Sequence, residues 1–183
     1  MKRCSWVNES NPLYIKYHDS EWGIPSCDDG YLFEMLILES FQAGLSWECV
    51  LNKREAFRQV FCGFEVKKVS LFTDSDVERL MSDKRIIRNR RKITAAIGNA
   101  SVFMDIQKEY GSFSSYIWSF TDGKQIVNRD GVIRATSPLS DSISKDLKRR
   151  GMSFVGSTVI YSYLQAIGVV DDHEACCELG GQK

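Results

Sequence analysis

The two histidines of the chain, His18 and His173, each lie near a cysteine, Cys4 in the first case and Cys177 in the second. A histidine and a cysteine four residues apart, as His173 and Cys177 are, share one face of a helix and can hold the same metal ion. One pair from each end would give a tetrahedral two-cysteine, two-histidine zinc site joining the termini, with Cys176 as the alternative ligand; the spacing is not that of a zinc finger. A second feature is Glu39, which follows the apolar run Leu36-Ile37-Leu38 directly, where a lone carboxylate is disfavoured unless it is paired or functional. Tyr14, Tyr17, Trp22 and Trp47 supply aromatic surface nearby. Such rings are most often core, but a carboxylate among aromatic faces suits a flat, cationic ligand, because charge and π-face both attract it. A third is the stretch Gly151-Met152-Ser153-Phe154-Val155-Gly156-Ser157-Thr158, which places two glycines beside a helix start. Its backbone N–H groups and the helix dipole make an anion site, and Lys148, Arg149 and Arg150 beside it favour phosphate.

The elements that must position these residues read as helices. Asp28-Asp29-Gly30 caps a helix carrying Tyr31, Leu32, Met35, Leu36 and Leu38, which ends at Gly44. A second helix starts near Ser46, with Trp47, Val50, Leu51 and Phe57 on one side, and fades by Cys62-Gly63. Short helices follow over 65–71 and after Thr73, where Asp76 stands in the capping-box position. The longest helix is expected from Ile86 to Tyr110, ended by Gly111, with another short one over 112–120. The segment 121–137 reads as a small hairpin or an irregular loop. Helices over about 139–150 and 157–167 flank the glycine-containing connection. That arrangement is the pattern of a helix-hairpin-helix, which grips a nucleic-acid backbone without reading its sequence, although a plain αα-turn has the same outline. The class is all-α, in one domain spanning 1–183, with the hairpin at about 147–160.

Composition narrows the function classes. Of 183 residues, 43% are hydrophobic, 26% charged and only 3 are proline, which excludes disordered and collagen-like chains. A chain of this length should fold to roughly 9,000 Å² of accessible surface, enough burial for a core without disulfides. No apolar run reaches membrane-spanning length, and the start, Met-Lys-Arg-Cys-Ser-Trp, has no signal-peptide stretch, so a cytoplasmic protein is expected, with reduced thiols or metal ligands rather than disulfides. Cys27, Cys49 and Cys62 read as ordinary thiols. Twenty-four basic residues balance 24 acidic ones. The basic residues nonetheless cluster, six of them between Lys84 and Lys92 without an acid, and Lys145, Lys148, Arg149 and Arg150 later. One such run is an ordinary solvated helix face; two in a neutral protein leave room for a local phosphate-binding face.

Taken together, the stretches RCSWV, PLYIKYHDSEWG, LFEMLILESFQAGLSWECVL, IIRNRRK, LKRRGMSFVGSTVIYSYLQAIG and DDHEACC resemble the bacterial 3-methyladenine DNA glycosylase I family over nearly the whole chain. The resemblance implies an all-helical helix-hairpin-helix glycosylase fold with a zinc-stapled region joining the termini. It implies one structural Zn2+ held by Cys4, His18, His173 and Cys177. It makes Glu39 the catalytic residue, Tyr14, Tyr17 and Trp47 the walls of a base pocket with Trp6 and Trp22 close by, and Gln42, Gly44 and Leu45 a turn that wedges into DNA. Gly156 and Ser157 would hold phosphate, with Phe154 standing where the usual hairpin signature has its first glycine.

The implied activity is excision of 3-methyladenine from alkylated double-stranded DNA by base flipping and hydrolysis, releasing the free base without a lyase step. Asp171 and Asp172, which follow the hairpin where other glycosylases of this superfamily carry a catalytic aspartate, are expected instead to cap a helix or orient His173. The enzyme is expected to be a nucleoid-associated monomer with no membrane partner. A non-enzymatic damage-binding module is the rival reading, and it would not need an acid buried in an aromatic pocket. A glycosylase accepting 3-methylguanine is a third.

Overall fold

The computed structural model describes residues 1–181; residues 182 and 183, at the end of the expected domain, lie outside the described residues. Ten helices run in chain order among them: α1 (Pro12–Ser20), α2 (Asp29–Gln42), α3 (Trp47–Leu51), α4 (Arg54–Val60), α5 (Val66–Ser70), α6 (Asp74–Ser82), α7 (Arg90–Tyr110), α8 (Phe113–Ser119), α9 (Pro138–Arg149) and α10 (Ser157–Ala166). The strands β1 (Ile126–Val127) and β2 (Val170–Asp171) form one short parallel pair. The accessible surface is 9012 Å², the size that the chain length calls for.

Side-chain caps set most of the helix starts. Asn11 accepts the Leu13 N–H before Pro12, and Asp28 accepts the Tyr31 N–H at 2.6 Å. Thr73 and Asp76 close the expected capping box, and Ser112 and Ser137 cap α8 and α9. α2 is buried over ten consecutive residues, Leu32 to Phe41, because α3, α7, α8 and α10 all pack on it. Glu34 is tolerated within that buried stretch because Arg54 and Arg58 bond its carboxylate at 2.6 and 2.8 Å. Glu39, one and a half turns on, has no such partner.

Several expectations need correction. The single helix expected after Ser46 is two, α3 and α4, parted at Asn52-Lys53. The long helix begins at Arg90 rather than Ile86, since Asn89 caps it by accepting the Lys92 N–H. The 121–137 segment is not a hairpin: its strand pairs across the molecule, Ile126 with Val170. The Cys177 end is a turn closed by the Cys177 N–H on the Glu174 carbonyl at 2.8 Å, so His173 and Cys177 do not share a helix face.

The basic clusters are not the free cationic faces expected. Arg85 pairs with Asp83, Arg90 with Glu78, and Lys92 is buried. Arg149 pairs with Asp146, and Arg150 bridges Asp146 and Glu109. Lys84, Arg88, Arg91, Lys145 and Lys148 remain without an ion-pair partner among the described residues.

Between α9 and α10, Phe154 sits at φ +57°, in the left-handed region that glycine adopts freely. A phenylalanine therefore takes up the backbone shape of the missing glycine, at about 1–2 kcal/mol of strain. Both Phe154→Ala and Phe154→Gly lose the same half-buried ring, but only glycine relieves the backbone. Chemical denaturation should find the glycine variant more stable than the alanine variant by about 1–2 kcal/mol; equal stabilities would contradict this account.

Candidate functional site

α1 and α2 bring two groups of functional side chains together. On one face of α1, His18 is fully buried and its Nε2 lies 3.6 Å from Cys177 Sγ. Cys4, His18 and Cys177 present their ligand atoms within 4.8 Å of one another. A tetrahedral site with metal–sulfur and metal–nitrogen bonds of ordinary length has S···N edges of roughly 3.6 Å, so this trio could hold a metal ion. The fourth expected ligand, His173, is outside that trio but adjacent, its ring 5.1 Å from that of His18, and its Nε2 is buried with no hydrogen-bond partner among the described residues. Cys176, the alternative, is exposed and turns to the Glu174 carboxylate.

Both imidazoles are oriented by carboxylates. His18 Nδ1 lies 2.8 Å from Asp19, which Arg3 grips with two nitrogens, and His173 Nδ1 lies 2.7 Å from Asp171, which Arg129 bonds in turn. Each Nδ1 is thereby committed, and the His18 Nε2 faces the cluster, as a ligating histidine requires. Burial pushes the His18 pKa down, keeping the ring neutral and its nitrogen available, while burial pushes the Cys4 thiol up to about 12. Burial opposes ionisation of Asp171, but hydrogen bonds from His173 and Arg129 outweigh it and hold that carboxyl well below the usual range. Asp171 thus takes up the orienting position; Asp172 is held by Tyr161, Gln165 and Asn128. Gly23 packs directly on His173: at φ +73°, a Cβ there would stand 2.9 Å from the imidazole Cε1.

The second group surrounds Glu39, which is 3% exposed. Among the described residues its Oε2 has no hydrogen-bond partner, and neither has the buried Nε1 of Trp47. Tyr17 packs on Trp47 with ring centroids 5.1 Å apart, and Tyr14 is half-buried. Glu48 ties α3 to the start of α1, accepting from Asn8 and Asn11 at 2.8 Å, which fixes Trp47 against the tyrosines. Burial raises the pKa values of Tyr14 and Tyr17, and the ionised Glu39 adds to the rise in both, a sign of its nearness. Trp6 bridges the groups, 5.4 Å from Tyr14 and 4.8 Å from Trp22. Trp22 lies in the metal group, 4.7 Å from His173, rather than in the Tyr17–Trp47 pair. On the far side of Trp6 and Trp22 opens a cleft of about 210 Å³ bordered by residues 128–134, whose arginines are already paired to Asp171 and Asp130.

Burial alone lifts the Glu39 pKa from 4.5 to about 8. The folded protein holds this proton while the unfolded chain releases it, so the contribution of Glu39 to stability is fully present below pH 4.5 and is lost as pH rises towards 8, by roughly 1.4 kcal/mol per unit. Glutamine removes the titration. Melting curves between pH 5 and 8 should therefore fall more steeply for the wild type than for Glu39→Gln; parallel curves would mean that Glu39 is not desolvated.

At the surface above Glu39, the α2–α3 turn projects. Gly44 at φ +82° lets the chain reverse, Leu45 stands 41% exposed, and Ser46 caps α3. Gln42 is half-buried at the base of this turn, its carbonyl accepting the Leu45 N–H. At the α9–α10 connection Gly156 is the N-cap of α10 and supplies no side-chain cap, leaving first-turn N–H groups for an outside acceptor, and the Ser157 hydroxyl bonds Asp141.

Sequence reasoning missed Asp19, which its position next to His18 could have revealed. It also missed Arg3, Arg129 and Asn99, whose partners are distant in sequence, and read Lys92 only as part of a basic run.

Known proteins resemble the chain over nearly its whole length. Residues 6–179 match the family described as methyladenine glycosylase. The chain is 46% identical to DNA-3-methyladenine glycosylase 1 of Escherichia coli K12 over the full length of both, and 43% identical to the DNA-3-methyladenine glycosylase of Haemophilus influenzae over 96% of each. A 3-methyladenine DNA glycosylase I variant solved in complex with 3-methyladenine superposes with a TM-score of 0.94 at 35% identity, covering 100% of this chain and 99% of that one.

Proposed function

The chain belongs to the methyladenine glycosylase family, and from that premise we propose that it hydrolyses the N-glycosidic bond of 3-methyladenine in alkylated duplex DNA, using Glu39 and the Tyr14, Tyr17 and Trp47 rings as the base pocket. The observation that carries this reading is a buried acid with an unpartnered oxygen beside an aromatic pair. An orphaned buried polar atom costs about 1–3 kcal/mol, and a ligand edge able to donate to it recovers that energy.

The lesion leaves the stack at a cost of a few kcal/mol, less than a normal base because methylation weakens its pairing, and Leu45 enters the gap with Gln42 beside it. The base then stacks on Trp47 and Tyr17, and Glu39 accepts from its edge. Unmethylated adenine is neutral and gains less from the carboxylate. The bond from the sugar C1′ to the base breaks with its electron pair going to the base, which departs as neutral 3-methyladenine because it began as a cation. Water adds to C1′ and gives a proton to solvent, leaving an abasic site. Lys92, the lysine nearest the pocket turn, is engaged by two carbonyls, consistent with hydrolysis alone and no lyase step. The hairpin at Gly156 and Ser157 takes a phosphate, with Lys145 and Lys148 nearby.

A zinc ion held by Cys4, His18, His173 and Cys177 would cross-link the two ends of the chain. With four protein ligands it offers no open position for water, so its contribution is structural.

Quenching of intrinsic fluorescence by free 3-methyladenine tests the pocket, since Trp47 and Tyr17 line it; quenching should saturate with the wild type and be lost in Trp47→Ala. Leu45→Ala should slow base release from duplex DNA by roughly tenfold, the equivalent of part of the flipping cost. Undiminished release by that variant would remove Leu45 from the wedge.

A further inference from the structure

Helix α7 touches both of the loops assigned to DNA. Near its start, Lys92 is 7% exposed and donates from Nζ to the carbonyls of Phe41 at 2.8 Å and Ala43 at 2.6 Å. Phe41 is the penultimate residue of α2 and Ala43 its cap, both in the last turn where carbonyls lack helical partners, and Gly44-Leu45 follows the cap directly. An ammonium there satisfies both acceptors and the negative end of the α2 dipole. Seven residues on, Asn99 is 1% exposed and clamps Ser153 twice, accepting its N–H at 2.8 Å and donating to its carbonyl at 2.9 Å. Ser153 directly precedes the strained Phe154 of the hairpin. Two helical turns separate Lys92 and Asn99, so they lie on nearly one face, about 10 Å apart along the axis. Beyond them, Glu109 near the C-terminal end of α7 pairs with Arg150 at the end of α9.

We propose that α7 is a strut that fixes the separation of the Leu45 wedge from the phosphate-gripping hairpin, with Lys92 and Asn99 as its positioning residues. The proposal rests on the wedge and hairpin roles given above. Neither side chain reaches DNA: each spends its hydrogen bonds on the backbone of a loop that does. A duplex is stiff and presents lesion and phosphate at a set spacing, so both loops must engage at once. A single strand can bend to meet loops that have shifted.

The test compares release of free 3-methyladenine, separated by chromatography, from methylated duplex DNA and from the same DNA as separated strands. Lys92→Met and Asn99→Ala should each lower kcat/KM on the duplex by about 10–100-fold, the effect of a misplacement near 1 Å, while single-strand release changes by less than about threefold. Lys92→Arg, which can still donate to both carbonyls, should restore most of the duplex activity. Loss of equal size on both substrates, or no loss on either, overturns the strut. Should Lys92→Met be recovered unfolded, Lys92→Gln, which keeps one donor group, takes its place in the same comparison. Wild-type protein that releases no base from either substrate would instead remove the glycosylase reading on which the strut rests.

Discussion

Cys4→Ser is expected to lower the melting temperature by about 15 °C, with Cys176→Ser as the unaffected control. A metal bound by Cys4 and Cys177 closes a loop that spans nearly the whole chain, and a cross-link of that length contributes about 5 kcal/mol by chain entropy alone. For a protein of this size each kcal/mol moves the midpoint by about 2–4 °C. The residues around the cluster are prepared for an ion. The His18 and His173 rings are locked by Asp19 and Asp171, the His173 Nε2 is buried without a partner, and Gly23 is shaped to admit the ring. Elemental analysis of protein purified without chelator should find one zinc per chain, and removing it should reproduce the Cys4→Ser midpoint. Metal-free protein that melts where the zinc-loaded protein does would show that hydrogen bonds alone close the termini.

Glu39→Gln is expected to move activity and stability in opposite directions. Burial keeps Glu39 protonated in the folded protein at neutral pH, where the unfolded chain would release the proton, so a neutral amide of the same shape removes that cost and stabilises the fold. A cationic base entering the pocket favours loss of that proton and meets the resulting carboxylate, and removing a positioned electrostatic partner typically lowers turnover by about 10²–10³-fold. A variant that melts higher and releases base slowly identifies a functional acid. One that loses both properties would make Glu39 a structural residue.

Local signals carried the sequence reading where they existed. The Asp28 cap, the Thr73–Asp76 box and the glycines closing α2 and α7 lie within a few residues of what they control, so the helices they bound are legible. The break at Asn52-Lys53 was not, because the apolar face of Trp47, Val50, Leu51 and Phe57 runs on across it. The pairing of Ile126 with Val170 was invisible because it joins segments more than forty residues apart. The charge clusters misled for a related reason: composition records that Arg150 and Lys92 are cations but not that Glu109 and the end of α2 consume them. The residues of the metal group and the pocket could be named from the sequence, largely through the family resemblance. Of their supports Asp171 was named and Asp19 could have been, but Arg3 and Arg129 act through partners elsewhere in the chain.

Release of 3-methyladenine from DNA through the buried acid can be measured as free base. The most direct test incubates methylated duplex DNA with wild-type and Glu39→Gln protein side by side and separates the released bases by chromatography. Free 3-methyladenine is expected from the wild type and far less from the variant. No released base from either protein, with both still bound to the DNA, would contradict it and leave a damage-binding module in its place.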